Sequence, residues 1–461
     1  MKPILPILLL FYSSLSLLHG QSQQAAIDQI FSIAQLKADL ADLKSNLEAK
    51  HPNLYLYNPK SVIDQVFDSL GRGIVKPMTG LEFYAHITSI SSIIKDGHTI
   101  ILPSVAATAL HNKNSKFLPF QLVMENNRLW IDMIFTKNTP IPEGAEILSI
   151  NDVKAEEIIK QLLDRQVRDG NNLSYPTWIL NHYFREYYSY VLGHPNQVNV
   201  QYKNNNFEQT ATLSCLSKDS INFLRQLKYP NRVPQKKAKE GLTLKFAPDN
   251  QYAILTIKDF HKAVLQKDYQ QDFYKVMDTY FKALSLSKTG NLILDLRDNQ
   301  GGELLYGLYL LTYLMNKPFT VLDAYYSIDP SNSDHSLRQS NGPALGVHLP
   351  KDLAFSGAIF VLINGGSFSN SGIVAACLKR NQRAKFIGEE TGGSSKVLAG
   401  YIKNHTLKNT SIQVQIPTKQ FMLDEAMPLS GRGVFPDYPV APNVGDDDTV
   451  LQYAIGLIVK H

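Results

Sequence analysis

Residues 241–461 read as an α/β domain with a largely parallel sheet, behind a helical N-terminal domain (21–110) and a β-rich region with a linker (111–240). Three observations predict this. Buried-strand runs alternate with helical spacing from Leu242 onward, the pattern of an α/β sheet. Two of those runs, NLILDLRDN and AIFVLIN, stop at paired glycines and lead straight into helical segments. Before Ile94 the apolar residues recur at helical spacing, whereas FLPFQLVM, RLWIDMIF and GAEILSIND beyond Lys116 have strand character.

The N-terminal twenty residues have the pattern of a secretory signal. Lys2 supplies the positive start, Ile4–Leu18 the apolar centre, and Leu18-His19-Gly20 a cleavage site before Gln21. No cysteine follows that run, which excludes a bacterial lipid anchor there. No later segment is long and apolar enough to span a bilayer. The expected product is secreted or periplasmic, with no stable membrane association.

Helices are then expected from Ala25, over Ser61–Leu70 and over Thr79–Ile94, with Thr79 and Glu82 spaced as a capping box. KDGHTIILP turns the pattern to strand. EGAEILSIND resembles the strand of a PDZ domain, a module that adds an extended peptide to a sheet edge, and EEIIKQLL reads as a helix after it. Asn171–Ser214 is aromatic-rich and carries no clear period. PQKKAKEG reads as a solvated linker.

The unit on which chemistry centres is AIFVLINGGSFSNSGIVAACLKRNQRAKFIG: strand, glycine turn, helix, strand. A serine on such a turn lies at the carboxyl end of a strand and the amino end of a helix. Free N–H groups and the helix dipole there stabilise an oxyanion. Gly301 and Gly302 form the neighbouring turn, where a backbone N–H can approach a substrate because no Cβ intervenes. With the N–H of Asn370, these glycines are the expected oxyanion hole. Taken singly, each glycine pair is equally a plain tight turn.

Composition bounds the rest. The chain has 461 residues, 44% of them hydrophobic and 19% charged, with net charge +5 and no basic stripe interleaved with aromatics. Nucleic-acid binding has no support. Cys215 and Cys377 match no metal spacing, and whether they pair is open. No metal or cofactor is expected. Asn172, Asn404 and Asn409 begin N-x-S/T sequons, which matter only in a glycosylating host.

LDLRDNQGG, NGGSFSNSG, IGEETGG and GVFPD, in this order, resemble the tail-specific (C-terminal processing) serine peptidase superfamily, which includes the tricorn core peptidase and the retinoid-binding repeats. The resemblance implies a crotonase-like, ClpP-related α/β core with a serine nucleophile, a helical N-terminal domain and a PDZ-like insert. It maps the nucleophile onto Ser369, leaving Ser367 as a neighbour and Ser371 as a helix cap. One branch of the superfamily uses a lysine six residues after the glycine of GE-x-T. That position is Ser394 here, and Lys396 is out of register. The other branch uses a histidine, and DGHT (Asp96–Thr99) matches its motif, so His98 is the expected base. A histidine near its ordinary pKa accepts a serine proton at neutral pH.

The third member of a triad has no register match. Ser430 occupies the family position, and Asp424 or Glu425 lie just upstream; Glu425 is carried as the candidate. Glu389 and Glu390 are further acids, with the GE glutamate read as structural, and Asp295 and Arg297 are read as core-stabilising. The function expected is a serine endopeptidase acting on unfolded or extended polypeptides. The alternative is a catalytically weak or inactive peptidase-fold protein that binds a peptide or hydrophobic ligand, since fold alone does not fix function. A hydrolase of small esters is also compatible with the residues.

Overall fold

The architecture is that of a computed structural model, which describes residues 29–136, 139–232, 240–329, 332–339, 341–441 and 448–459. The signal-like segment and most of the expected linker lie outside the described residues. Among the described residues, no helix is long and apolar enough to cross a membrane.

The N-terminal region is helical, as its periodicity requires. Ile33–Lys50 begins at a Ser32 cap, Lys60–Gly73 follows, and Gly80–Ile87 starts at the expected capping box. There the Thr79 hydroxyl accepts from Glu82 N at 3.2 Å, while the Glu82 carboxylate accepts from Thr79 N at 2.7 Å. The expected continuous helix to Ile94 is broken: a 3₁₀ turn covers Thr88–Ile90, a short helix covers Ser91–Ile94, and Lys95 ends it in the left-handed region at φ 58°. That stop swings the chain into the Asp96–Thr99 turn.

The middle region is an antiparallel sheet running Phe120–Glu125, Arg128–Ile134, Glu146–Ile150, Gln197–Asn204, Phe207–Ser214, with the short strand Val153–Lys154 paired to the third. Helices Ala155–Leu163 and Ser174–Val191 cover it. The second helix accounts for the aromatic stretch that has no legible period. Tyr175, Trp178 and Ile179 face the catalytic side, Leu180, Phe184 and Tyr188 face this sheet, and Tyr190 joins the N-terminal core. A helix buried on three sides has no single apolar stripe.

In the C-terminal region a six-stranded sheet has the order Leu242–Phe246, Ala253–Ile257, Asn291–Asp295, Ala358–Ile363, Lys385–Gly388, Tyr438–Pro439. The first pair is antiparallel and the rest parallel. Residues of helices Phe273–Ser287, Leu304–Leu314 and Asn370–Arg380 build the main apolar core with one face, and Thr449–Val459 packs on Ile293, Leu362 and Ile387 of the other. Arg297 joins Asp295 and Asp448, each at 2.7 Å, which bears out its structural reading. Cys215 and Cys377 are free, buried in different cores, which settles the open pairing.

One crossing pairing matters for function. Ile100–Leu102 pairs antiparallel with Gln413–Gln415 of the long strand Gln413–Met422. Beginning two residues beyond His98, this pairing ties the N-terminal segment to the catalytic region.

Candidate active site

Ser369 stands at the turn between strand Ala358–Ile363 and helix Asn370–Arg380, with φ 53° and ψ −120°. A non-glycine residue pays about 1–3 kcal/mol for such a conformation, and it persists only where the surroundings enforce it. Here they do. Phe368 N donates to Asn299 O at 3.1 Å, Ser367 Oγ donates to Leu296 O at 2.8 Å, and Asn370 Nδ2 donates to Glu303 O at 2.6 Å. The turn is thus pinned by two bonds to the neighbouring LDLRDNQGG segment and by a third to Glu303 just after it, which aims the Ser369 side chain into the cleft.

His98 Nε2 lies 3.0 Å from Ser369 Oγ. Of the three alternating serines, Ser367 is buried with its hydroxyl used internally, and the fully buried Ser371 hydroxyl has no hydrogen-bond partner among the described residues, so it is not the expected cap. The imidazole is held by packing: its ring stacks on Phe368 at 4.7 Å, Phe368 on Tyr175 at 4.0 Å, and Tyr175 on Trp178 at 5.9 Å. Its backbone N donates to Asp96 Oδ1 at 2.8 Å. Burial pushes the imidazole down to about 4, and His261 adds to this, against the pull of Asp96. The ring is therefore neutral at pH 7 and able to accept a proton at Nε2.

Burial alone would raise the Asp96 carboxyl, yet His51 and His98 hold it down to about 2. Asp96 bonds the histidine's backbone rather than its ring. His98 Nδ1 is buried with no hydrogen-bond partner among the described residues.

That last observation corrects the third triad member. Glu425 lies in an exposed ion pair with Arg338 at 2.6 Å and accepts from Tyr326, so it does not orient His98. Asp424 spends its carboxylate on Ala426 N, and Ser430 Oγ accepts from Arg432 N. None reaches the imidazole, because the 424–430 loop bends toward Lys396 instead. Lys396 Nζ donates to Glu425 O at 2.8 Å and to Met427 O, so its ammonium is engaged there and not with Ser369. Glu390 binds Arg432 Nε and Gly433 N, each at 2.8 Å, and so joins the two motifs IGEETGG and GRGVFPD.

The expected oxyanion donors divide. Gly301 N–H donates to Asn299 Oδ1 at 2.9 Å, a buried bond that removes it from the hole. Gly301 is nonetheless required where it stands: a Cβ would lie 2.6 Å from Ser369 Cβ and 2.7 Å from Asn370 N. Gly302 N–H and Asn370 N–H have no partner among the described residues, and both residues line the cleft with Ser369. The cleft holds about 420 Å³ and is walled also by Tyr175, His261, Tyr401 and Phe421. His261, paired with Asp259 at 2.8 Å, has no motif in the sequence to announce it. Among the described residues no group of histidine, cysteine and acid side chains could hold a metal.

A neutral histidine against a serine hydroxyl, with two free N–H groups beside it at the carboxyl end of a parallel strand, is the arrangement of a serine hydrolase. Residues 251–440 match peptidase family S41, so the chain carries a domain of these tail-specific serine peptidases. It is 28% identical over 156 residues to carboxyl-terminal-processing peptidase 2, chloroplastic, of Arabidopsis thaliana, covering 34% of this chain and 27% of that protein. It is 30% identical over 155 residues to the carboxy-terminal-processing protease of Bartonella bacilliformis, covering 33% and 31%. The match thus spans less than a third of either relative. The solved structure of mature CPAF superposes with a TM-score of 0.64 at 14% identity, covering 92% of this chain and 96% of that one, and so does its complex with lactacystin, covering 92% and 98%. At that identity the likeness is one of fold, and it extends over nearly the whole chain.

Proposed function

We propose that this chain is a secreted or periplasmic serine endopeptidase that cleaves unfolded or extended polypeptides, with Ser369 as nucleophile and His98 as general base. The observation that carries the reading is the 3.0 Å contact between Ser369 Oγ and the neutral His98 imidazole. As Oγ bonds to the peptide carbonyl carbon, its proton passes to Nε2. The carbonyl oxygen becomes an oxyanion, received by the N–H groups of Gly302 and Asn370 and by the helix N-terminus. Collapse breaks the C–N bond, and Nε2 returns the proton to the leaving amine. Water then repeats the cycle on the acyl-enzyme.

In this reading the core is crotonase-like, and the sheet at 120–214 is a PDZ-like insert that presents the polypeptide. The imidazole is oriented by stacking and by its backbone, not by an acid. That missing acid is the one observation that favours the alternative, a catalytically weak or inactive protein that binds a peptide or hydrophobic ligand on the same scaffold.

The test is incubation of the chain from Gln21 with a denatured protein, beside Ser369→Ala and His98→Ala. Fragments formed only by the unsubstituted chain support the peptidase. A folded wild type that forms none while it binds the substrate supports the alternative.

A further inference from the structure

His98 and Ser369 come from distant stretches of the chain, so something must hold the two turns in register. We propose that Asp169 is the positioning residue that does so, a buried carboxylate clamp between the histidine turn and the serine turn. The inference rests on the serine-peptidase reading above and adds a residue that no motif includes.

The geometry forms a closed ring around the catalytic contact. Asp169 Oδ1 accepts from Gly97 N at 2.9 Å, the residue just before His98. Its Oδ2 accepts from Ser394 N at 3.0 Å, in the loop that ends IGEETGG. Two residues earlier in that loop, Gly392 N donates to Ser367 O at 3.0 Å, two residues before Ser369. One carboxylate therefore links the base, through Gly97, to the nucleophile, through Ser394 and Gly392. Adjacent bonds brace it: Gly170 N donates to Lys95 O at 2.9 Å, and Asn172 Nδ2 to Thr391 O at 2.8 Å. Asp169 is 2% exposed, so these bonds are shielded from water.

Both N–H groups need an acceptor, and the ionised carboxylate accepts on both oxygens more strongly than the protonated acid does. The groups that face Asp169 are the carboxylate of Asp96 in the histidine turn and the phenols of Tyr57 and Tyr175. Burial and then Asp96 push its carboxyl up to about 7, against the two N–H donors. The clamp thus opens as pH falls through neutrality. The sign is that of a site limited by His98 alone, but the acid limb lies higher, because that imidazole stays unprotonated down to about 4.

The experiment measures how fast a fluorophosphonate phosphonylates Ser369, together with kcat and KM on a denatured protein, from pH 4.5 to 9, for wild type, Asp169→Asn and Asp169→Glu. Asp169→Asn turns one N–H acceptor into a donor. The expected results are a wild-type acid limb near pH 7 and, in Asp169→Asn, a rate about 10–100-fold lower with KM little changed and the near-neutral limb gone. Asp169→Glu, which keeps both oxygens, regains some of the rate. Wild-type rates in a folded Asp169→Asn, or an unchanged limb, overturn the clamp. If Asp169→Asn does not fold, a wild-type limb near pH 4 does the same. A wild type whose Ser369 does not react at all overturns the underlying serine-peptidase reading instead.

Discussion

Ser369 Oγ and His98 Nε2 meet at 3.0 Å although 271 residues separate them in the chain. The contact needs a strained turn on one side and a pinned turn on the other. Residues that serve either turn should therefore matter to the rate, though less than the pair itself.

Removing either member removes the unit. Ser369→Ala and His98→Ala are each expected to lower kcat on a denatured protein by about 10⁴-fold or more, and the double variant to be no worse than the single ones. Steady-state kinetics on the four proteins checks this.

The strain at Ser369 predicts a trade of activity for stability. Ser369→Gly relaxes φ 53°, ψ −120°, whereas Ser369→Ala keeps it. Both are inactive, and the glycine variant is expected to be about 1 kcal/mol more stable than the alanine variant in urea unfolding.

Gly97 carries the histidine turn across a space with no room for a side chain. A Cβ there would lie 2.7 Å from Phe368 Cζ and 2.8 Å from Asp169 Oδ1. Gly97→Ala is expected to cost about 1–3 kcal/mol of stability and about 100-fold in kcat as His98 is displaced. Thermal unfolding and kinetics together read both effects.

Glu425→Ala is expected to leave kcat/KM within about twofold, because its partner is the exposed Arg338, and exposed pairs contribute about 0–1 kcal/mol. A loss of about 10³-fold or more would return the residue to the site.

His111 tests the pH dependence of stability away from the site. It is fully buried between Ser189 Oγ at 2.9 Å and Ser115 Oγ at 2.8 Å, and burial pushes it down to about 4. Between about pH 6.5 and 4 the unfolded chain binds a proton there that the folded chain does not, so this group's contribution falls as pH falls. His111→Gln is expected to flatten the slope of stability against pH in that window by about one proton, measured by urea unfolding at several pH values.

Much of this site was legible in the sequence for local reasons. The paired glycines after apolar runs mark the strand-to-helix turns, Thr79 and Glu82 mark a helix start, and DGHT brings its histidine to a strand end. What was not legible depends on distant partners. Asp169 sits in RDGNN, an ordinary turn by composition, and its role exists only because Gly97 and Ser394 converge on it. Gly301 loses its N–H to Asn299, a choice made inside the folded loop. Glu425 had the right charge near the right motif, but its loop turns toward Lys396 and Arg338. The helix Ser174–Val191 hid because three different cores share its aromatic residues.

The most direct test of the central claim is to treat the protein with a fluorophosphonate at pH 8 and locate the label by peptide mass mapping. One adduct is expected, on Ser369, formed in wild type and absent in His98→Ala, with Ser367 and Ser371 unmodified. Label on another serine, or equal labelling of Ser369 without His98, would contradict it.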